Sequence, residues 1–106
     1  MNNRLLGWIG LCMAAGGVTT GFDLIIGDVR CGKSKLVLLA SDASDRTKKQ
    51  LTDKCGFHNV KCLECEFTGA EIGHAIGKSE SAAISFSGRG CFNKIRDYYA
   101  NAAKEQ

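Results

Sequence analysis

The chain has 106 residues, 44% of them hydrophobic and 24% charged, with a formal net charge of +3. That length makes one domain with a core that needs no disulfide or metal staples. The slight positive charge leans toward anionic partners, but does not separate an RNA binder from a mildly basic enzyme. There is no proline, so turns fall to the 13 glycines, and the six cysteines are irregularly spaced. In a chain of this size they read as reduced thiols of a cytoplasmic protein.

The apolar run from Leu5 to Ala15 is too short to span a bilayer. It has the look of a short signal peptide, but a lipoprotein signal wants a small residue before its cysteine, and Leu11 stands before Cys12. The better reading is an amphipathic first helix from Asn3 to Ala15, with Leu5, Ile9 and Cys12 on one face and Gly16-Gly17 ending it. Val18-Thr19-Thr20 makes a brief edge strand. Thr20 or Gly21 opens a second helix whose stripe is Phe22, Ile25, Ile26 and Val29, closed by Gly32.

Leu36-Val37-Leu38-Leu39-Ala40 follows, a short apolar run bounded by turn residues, which reads as a central strand buried on both faces. Ser44 is placed to cap a third helix with Thr47, Leu51 and Cys55 inward, Lys48, Lys49 and Lys54 outward, and Gly56 at its end. A long strand is expected over Lys61–Phe67. Thr68-Gly69-Ala70-Glu71 has the form of a capping box, starting a fourth helix that buries Ile72, Ala75 and Ile76 and stops at Gly77. Ser81–Ser87 alternates as a strand, with Ala82, Ile84 and Phe86 opposed to Ala83 and Ser85. Gly88-Arg89-Gly90 turns into a last helix carrying Phe92, Ile95 and Tyr99, followed by a polar tail over Asn101–Gln106. Alternating helices and strands predict an α/β fold: a three-layer α/β/α sandwich with a mixed, mostly parallel four-stranded sheet. One domain covers residues 1–106.

Three motifs invite sharper chemistry. Gly27 to Ser34 fits GxxxxGK[ST], the phosphate loop. That loop must follow a strand and open a helix, whereas here a helical stripe precedes it and a strand follows. Cys55, His58, Cys62 and Cys65 are zinc-type ligands close in sequence. Cys62 and Cys65 fall in an expected strand, where residues three apart face opposite sides. Cys55 and Cys62 are more simply core residues, and His58 a solvated loop residue. His58 and His74 could activate a thiol, but no spacing favours it. The expectation is no enzyme, no cofactor, no metal and no catalytic residue.

Several blocks resemble the ribosomal protein L-seven-Ae family, most of all its small bacterial members. They are Leu36 to Ser44, Thr47-Lys48-Lys49, Thr52-Asp53-Lys54-Cys55 and Ile72-Gly73-His74-Ala75-Ile76-Gly77-Lys78, with the Gly21–Gly32 segment in register. The likeness runs from about Leu5 to Phe92. It implies an α/β/α sandwich that binds structured RNA, commonly kink-turns, and associates with ribosomes. It also implies that the RNA is gripped by the start of the second helix and the loop after the fourth. On this chain those are Thr20, Gly21, Asp23, Leu24 and Gly27, then Lys78, Ser79 and Glu80 within the Lys78–Ala82 loop. Archaeal members carry asparagine, glutamate and lysine where this chain has Asp23, Leu24 and Gly27. The basic residues of near relatives are replaced by Ala14 and Gly17. Arg30, Lys33 and Lys78 remain to meet phosphates. The expected partner is therefore a ribosomal or kink-turn type RNA in the cytoplasm, with the ribosome as a further partner, no membrane, and a homodimer as an open state. Two other functions stand beside it: a paralogue that contacts protein through the exposed Leu24/Gly27 face, and a nucleotide-binding enzyme acting through Lys33.

Overall fold

The computed structural model describes residues 4–87 and 89–104, and within them all side chains except those of 4, 89, 92 and 99–104. Nine elements follow in order: α1 (Arg4–Ala14), β1 (Val18–Thr20), α2 (Phe22–Arg30), β2 (Leu36–Leu39), α3 (Asp45–Phe57), β3 (Lys61–Glu64), α4 (Gly69–Ala75), β4 (Ala83–Phe86) and α5 (Arg89–Lys104). The strands form one sheet in the order β1-β4-β2-β3.

β2 is the expected central strand, and all four of its residues are buried. Its alternation divides the core in two. Leu36 and Leu38, with Ile84 and Phe86 of β4, face α1, α4 and α5 through Leu5, Ile9, Ile72 and Ile95. Val37, Leu39 and Ala83 face α2 and α3 through Ile25, Val29, Leu51 and Cys55. Helices on both faces give the three layers. Leu5, Ile9 and Cys12 sit in this core, so α1 is a structural helix. Among the described residues no helix is long and apolar enough to cross a membrane.

The sheet is mixed, as expected, but not mostly parallel. β2 pairs with β3 in parallel and with β4 antiparallel, and β4 pairs with β1 antiparallel. The reason lies after β3. α4 has only seven residues, and the chain then returns alongside it. Lys78 N–H donates to Gly73 O at 2.7 Å and Ser81 N–H to Gly69 O at 2.9 Å. An excursion out and back leaves the chain at the end of the sheet where β3 stopped. β4 must then run against β2, with Ala83 opposite Leu39.

Other boundaries shift for local reasons. β3 stops at Glu64, short of the expected Phe67, because after Cys65 N–H donates to Leu39 O at 2.9 Å the next bond, Ser41 N–H to Phe67 O at 2.8 Å, falls out of the register of the ladder. β4 covers Ala83–Phe86 and is buried on both faces, while Ala82 is exposed. Its polar position is accommodated because Ser85 Oγ donates to Ser34 Oγ at 2.7 Å. α3 runs past Gly56 to Phe57, and Asn59 (φ 60°) takes the left-handed turn instead. His58 caps that helix half-buried, rather than lying in a solvated loop. Lys48 lies partly inward, with Nζ on Ser41 O (3.1 Å) and on Glu64 (3.3 Å). Phe22, expected in the buried stripe of α2, is 41% exposed. α5 continues through Lys104 where a polar tail was expected. Ile95 is buried as expected, while the Phe92 and Tyr99 side chains, Asn3, and Gly88 of the expected turn lie outside the described residues. Cys12 and Cys91 are joined across α1 and α5, so the reading of six reduced thiols is corrected for these two. Cys31, Cys55, Cys62 and Cys65 are free.

Candidate nucleic-acid interface

At the end of the sheet where β2 finishes, three segments enclose a cleft of about 460 Å³. Thr20, Gly21 and Phe22 supply one wall, Arg46, Thr47 and Gln50 of α3 a second, and Lys78 with Glu80–Ala83 the third.

Each wall has its own support. Gly21 sits at φ 92° as the N-cap of α2 and offers no side-chain cap. The first helical bond is Ile25 N–H to Gly21 O at 2.9 Å. The amides of the first turn before Ile25 thus have no intrahelical acceptor, and the positive end of the helix dipole lies at the cleft. Asp23 partly offsets it. On α3, Ser44 Oγ accepts from Thr47 N–H at 3.1 Å, which fixes the turn that carries Arg46.

The third wall depends on the absence of side chains. A Cβ on Gly73 would come within 2.6 Å of the Glu80 backbone, and one on Gly69 within 3.2 Å of Ser81 O. Only glycine at 73 lets the returning segment lie on α4. Ser81 Oγ donates to Ala83 O at 2.8 Å and ties that segment to β4. Asp42 Oδ1 accepts Gly69 N–H at 2.8 Å, joining the β2–α3 loop to the start of α4. The Thr68–Glu71 capping box completes that start.

The expected contact residues do not all gather here. Thr20, Gly21, Lys78 and Glu80 line the cleft. Asp23, Leu24 and Gly27 lie exposed along α2, Leu24 at 66%, and Ser79 is exposed in the loop. Arg30 and Lys33 belong to the far end of α2, about 13 Å along its axis, because nine helical residues rise about 1.5 Å each. Neither lines the cleft with Lys78. Sequence reasoning missed Phe22, Arg46 and Gln50 as lining residues. The available signal was spacing: Arg46 and Gln50 are i, i+4 and each precedes an inward residue, Thr47 or Leu51, which puts them at the edge of the buried stripe.

The cleft therefore offers two cations (Arg46 and Lys78), one carboxylate (Glu80), hydroxyls, a side-chain amide and a helix N-terminus. These are groups that hold phosphates and base edges. The GxxxxGKS motif spans the end of α2 and the turn into β2, a helix–turn–strand context unlike a phosphate loop. Among the described residues no three His, Cys, Asp or Glu side chains are gathered for a metal ion. Away from the cleft, a hydrogen bond from Cys55 holds the Cys62 thiol down to about 7, against the opposing effect of burial. That same bond, together with burial, pushes the Cys55 thiol up.

Comparison with known proteins agrees with this architecture. Residues 3–95 match the model of the Ribosomal protein L7Ae/L30e/S12e/Gadd45 family. The RNA-binding protein YlxQ of Enterococcus faecium is 45% identical over 75 residues, covering 71% of this chain and 72% of that protein. Its Bacillus subtilis (strain 168) counterpart is 38% identical over 87 residues, covering 82% and 86%. Among solved structures, a protein of unknown function from Bacillus halodurans C superposes with a TM-score of 0.85 at 32% identity, covering 91% of this chain and 96% of that one. The Giardia lamblia 15.5kD RNA binding protein shares the fold, with a TM-score of 0.75 at 17% identity over 99% and 92% of the chains. With the central-strand block on β2, the glycines of the 72–78 block holding the return segment, and this match over most of its length, the chain belongs to the Ribosomal protein L7Ae/L30e/S12e/Gadd45 family.

Proposed function

We propose that this chain is a non-catalytic RNA-binding protein that takes structured RNA of kink-turn type, works with the ribosome in the cytoplasm, and uses the cleft as its contact surface. One observation carries the reading. Segments 20–22 and 78–83, far apart in sequence, close on one cleft, and the cations Arg46 and Lys78 stand on two of its walls. Relatives described as RNA-binding over most of their length point the same way. Thr20, Gly21, Arg46, Lys78 and Glu80 form the grip, with Asp23, Leu24, Gly27 and Ser79 at its margin. The phosphate contribution comes from Arg46 and Lys78, and Arg30 and Lys33 play at most a peripheral part.

The test is a gel shift with a kink-turn RNA over a salt series. Wild type binds and weakens as salt rises, because cation–phosphate contacts release counterions. The double variant Arg46→Glu/Lys78→Glu weakens binding by at least about tenfold at low salt and flattens the salt dependence. Restoring the lysine of archaeal members with Gly27→Lys tightens it. Binding by Gly27→Lys alone would mean that this chain has lost the RNA grip and would point to protein contact on the Leu24/Gly27 face. Binding by neither would end the RNA reading.

A further inference from the structure

Beside the cleft runs a second groove, of about 520 Å³, between α2 and α3. Phe22, Ile26, Gln50, Asp53, Lys54 and Phe57 line it. Phe57 is 83% exposed, at the end of α3. Large aromatic side chains left in water in this way mark contact surfaces.

We infer that this groove is a second RNA subsite, which takes unpaired nucleotides flanking the structured element and stacks a base on the Phe57 ring. The inference rests on the RNA reading of the cleft and extends it. Continuity is the first argument: Phe22 and Gln50 line both the cleft and the groove, so a strand leaving one enters the other. Spacing is the second. Arg46, Gln50, Lys54 and Phe57 follow at i, i+4, i+8 and i+11, one stripe of α3 about 16 Å long. That stripe presents a cation, an amide, a second cation and then an aromatic ring. A positive track ending on an aromatic platform is how single strands are held without reading sequence.

Charge is the third argument. The one carboxylate lining the groove, Asp53, already meets Lys49 Nζ at 3.3 Å, which offsets its repulsion of phosphate. The Phe57 ring also meets His58 edge to face, with centroids 4.9 Å apart, which steadies it as a platform. A protein segment or a second copy could cover Phe57 without touching the cleft; only a polymer already held in the cleft needs the shared wall.

The experiment compares two RNAs: a blunt kink-turn RNA and the same RNA with a short unpaired purine extension carrying 2-aminopurine. Wild type, Phe57→Ala and Phe57→Trp are titrated with each. Phe57 is exposed, so its removal leaves the core intact, and circular dichroism verifies this. The extension should tighten wild-type binding about tenfold and quench the 2-aminopurine on binding. Phe57→Ala should bind blunt RNA as wild type does but lose both the gain and the quench, and Phe57→Trp should keep both. If blunt RNA binds and the extension adds nothing, or Phe57→Ala keeps the gain, the subsite is refuted while the RNA reading stands. If wild type dimerises with micromolar protein and Phe57→Ala does not, the groove belongs to a second copy. If blunt RNA itself fails to bind, the RNA reading falls and the subsite with it.

Discussion

The third wall of the cleft and the exposed face of α2 are built on opposite terms. The 78–82 segment is pressed onto α4 so closely that Gly73 has no room for a methyl group. The outer face of α2 touches nothing: a Cβ at Gly27 would meet no atom within 4 Å, and Leu24 stands in water. Backbone fit governs the first region and side-chain chemistry the second. It is on the second that this chain departs from the pattern that its sequence resemblance implies, at Asp23, Leu24 and Gly27. A fold can keep its cleft and alter what lies beside it, because the two depend on different residues.

That contrast can be tested by substitution. Gly73→Ala should act hardest, since the added carbon overlaps the Glu80 backbone; overpacking of this kind costs about 1–3 kcal/mol and should lower the Tm and abolish RNA binding together. Asp42→Ala removes the acceptor of Gly69 N–H. A loss of about 1–2 kcal/mol is expected in urea denaturation. An unchanged midpoint would mean that water replaces the carboxylate. Gly27→Ala should go the other way, since an exposed helical glycine costs about 0.5–1 kcal/mol relative to alanine. Calorimetry should show a raised Tm with RNA affinity little changed. If Gly27→Ala destabilised the protein, the two regions would not be separable. The smallest effect lies outside the comparison. With its thiol held down to about 7 by the bond from Cys55, Cys62 should react with iodoacetamide increasingly as pH rises through that value and slowly below it. Cys55, buried and shifted upward, should stay unlabelled in the folded protein.

Much of this arrangement was legible in the residues. The β2 run announced itself because a strand buried on both faces has no polar alternation. Ser44 and Thr68 announced two helix starts because a hydroxyl before an amphipathic run satisfies open amides. The glycines at 73 and 77 stood within a recognisable block, and their separate jobs, close packing and a left-handed turn, emerge only in three dimensions. The direction of β4 was not readable, because it depends on whether the chain after α4 crosses the sheet or returns. Arg46 and Gln50 were missed for a related reason. Their place at the edge of α3 acquires meaning only when Lys78 arrives opposite, across a separation that no local pattern records. Arg30 and Lys33 do not line the cleft, and charge alone says nothing about which end of a helix faces it.

The pairing of β4 has a further consequence. Thr20 of one wall is in register with Ile84, and Ala40 N–H, in the loop leading to α3, donates to Ala82 O at 2.8 Å. One jaw is thus paired in register with the start of β4, the other is tied to the residue just before it through the loop leading to α3, and the third wall is the chain entering that strand. The span between them is set by the ladder of a sheet rather than by a hinge. Such a gauge does not close around its partner. Under the RNA reading proposed above, it favours partners already shaped to its width, at little cost in conformational freedom.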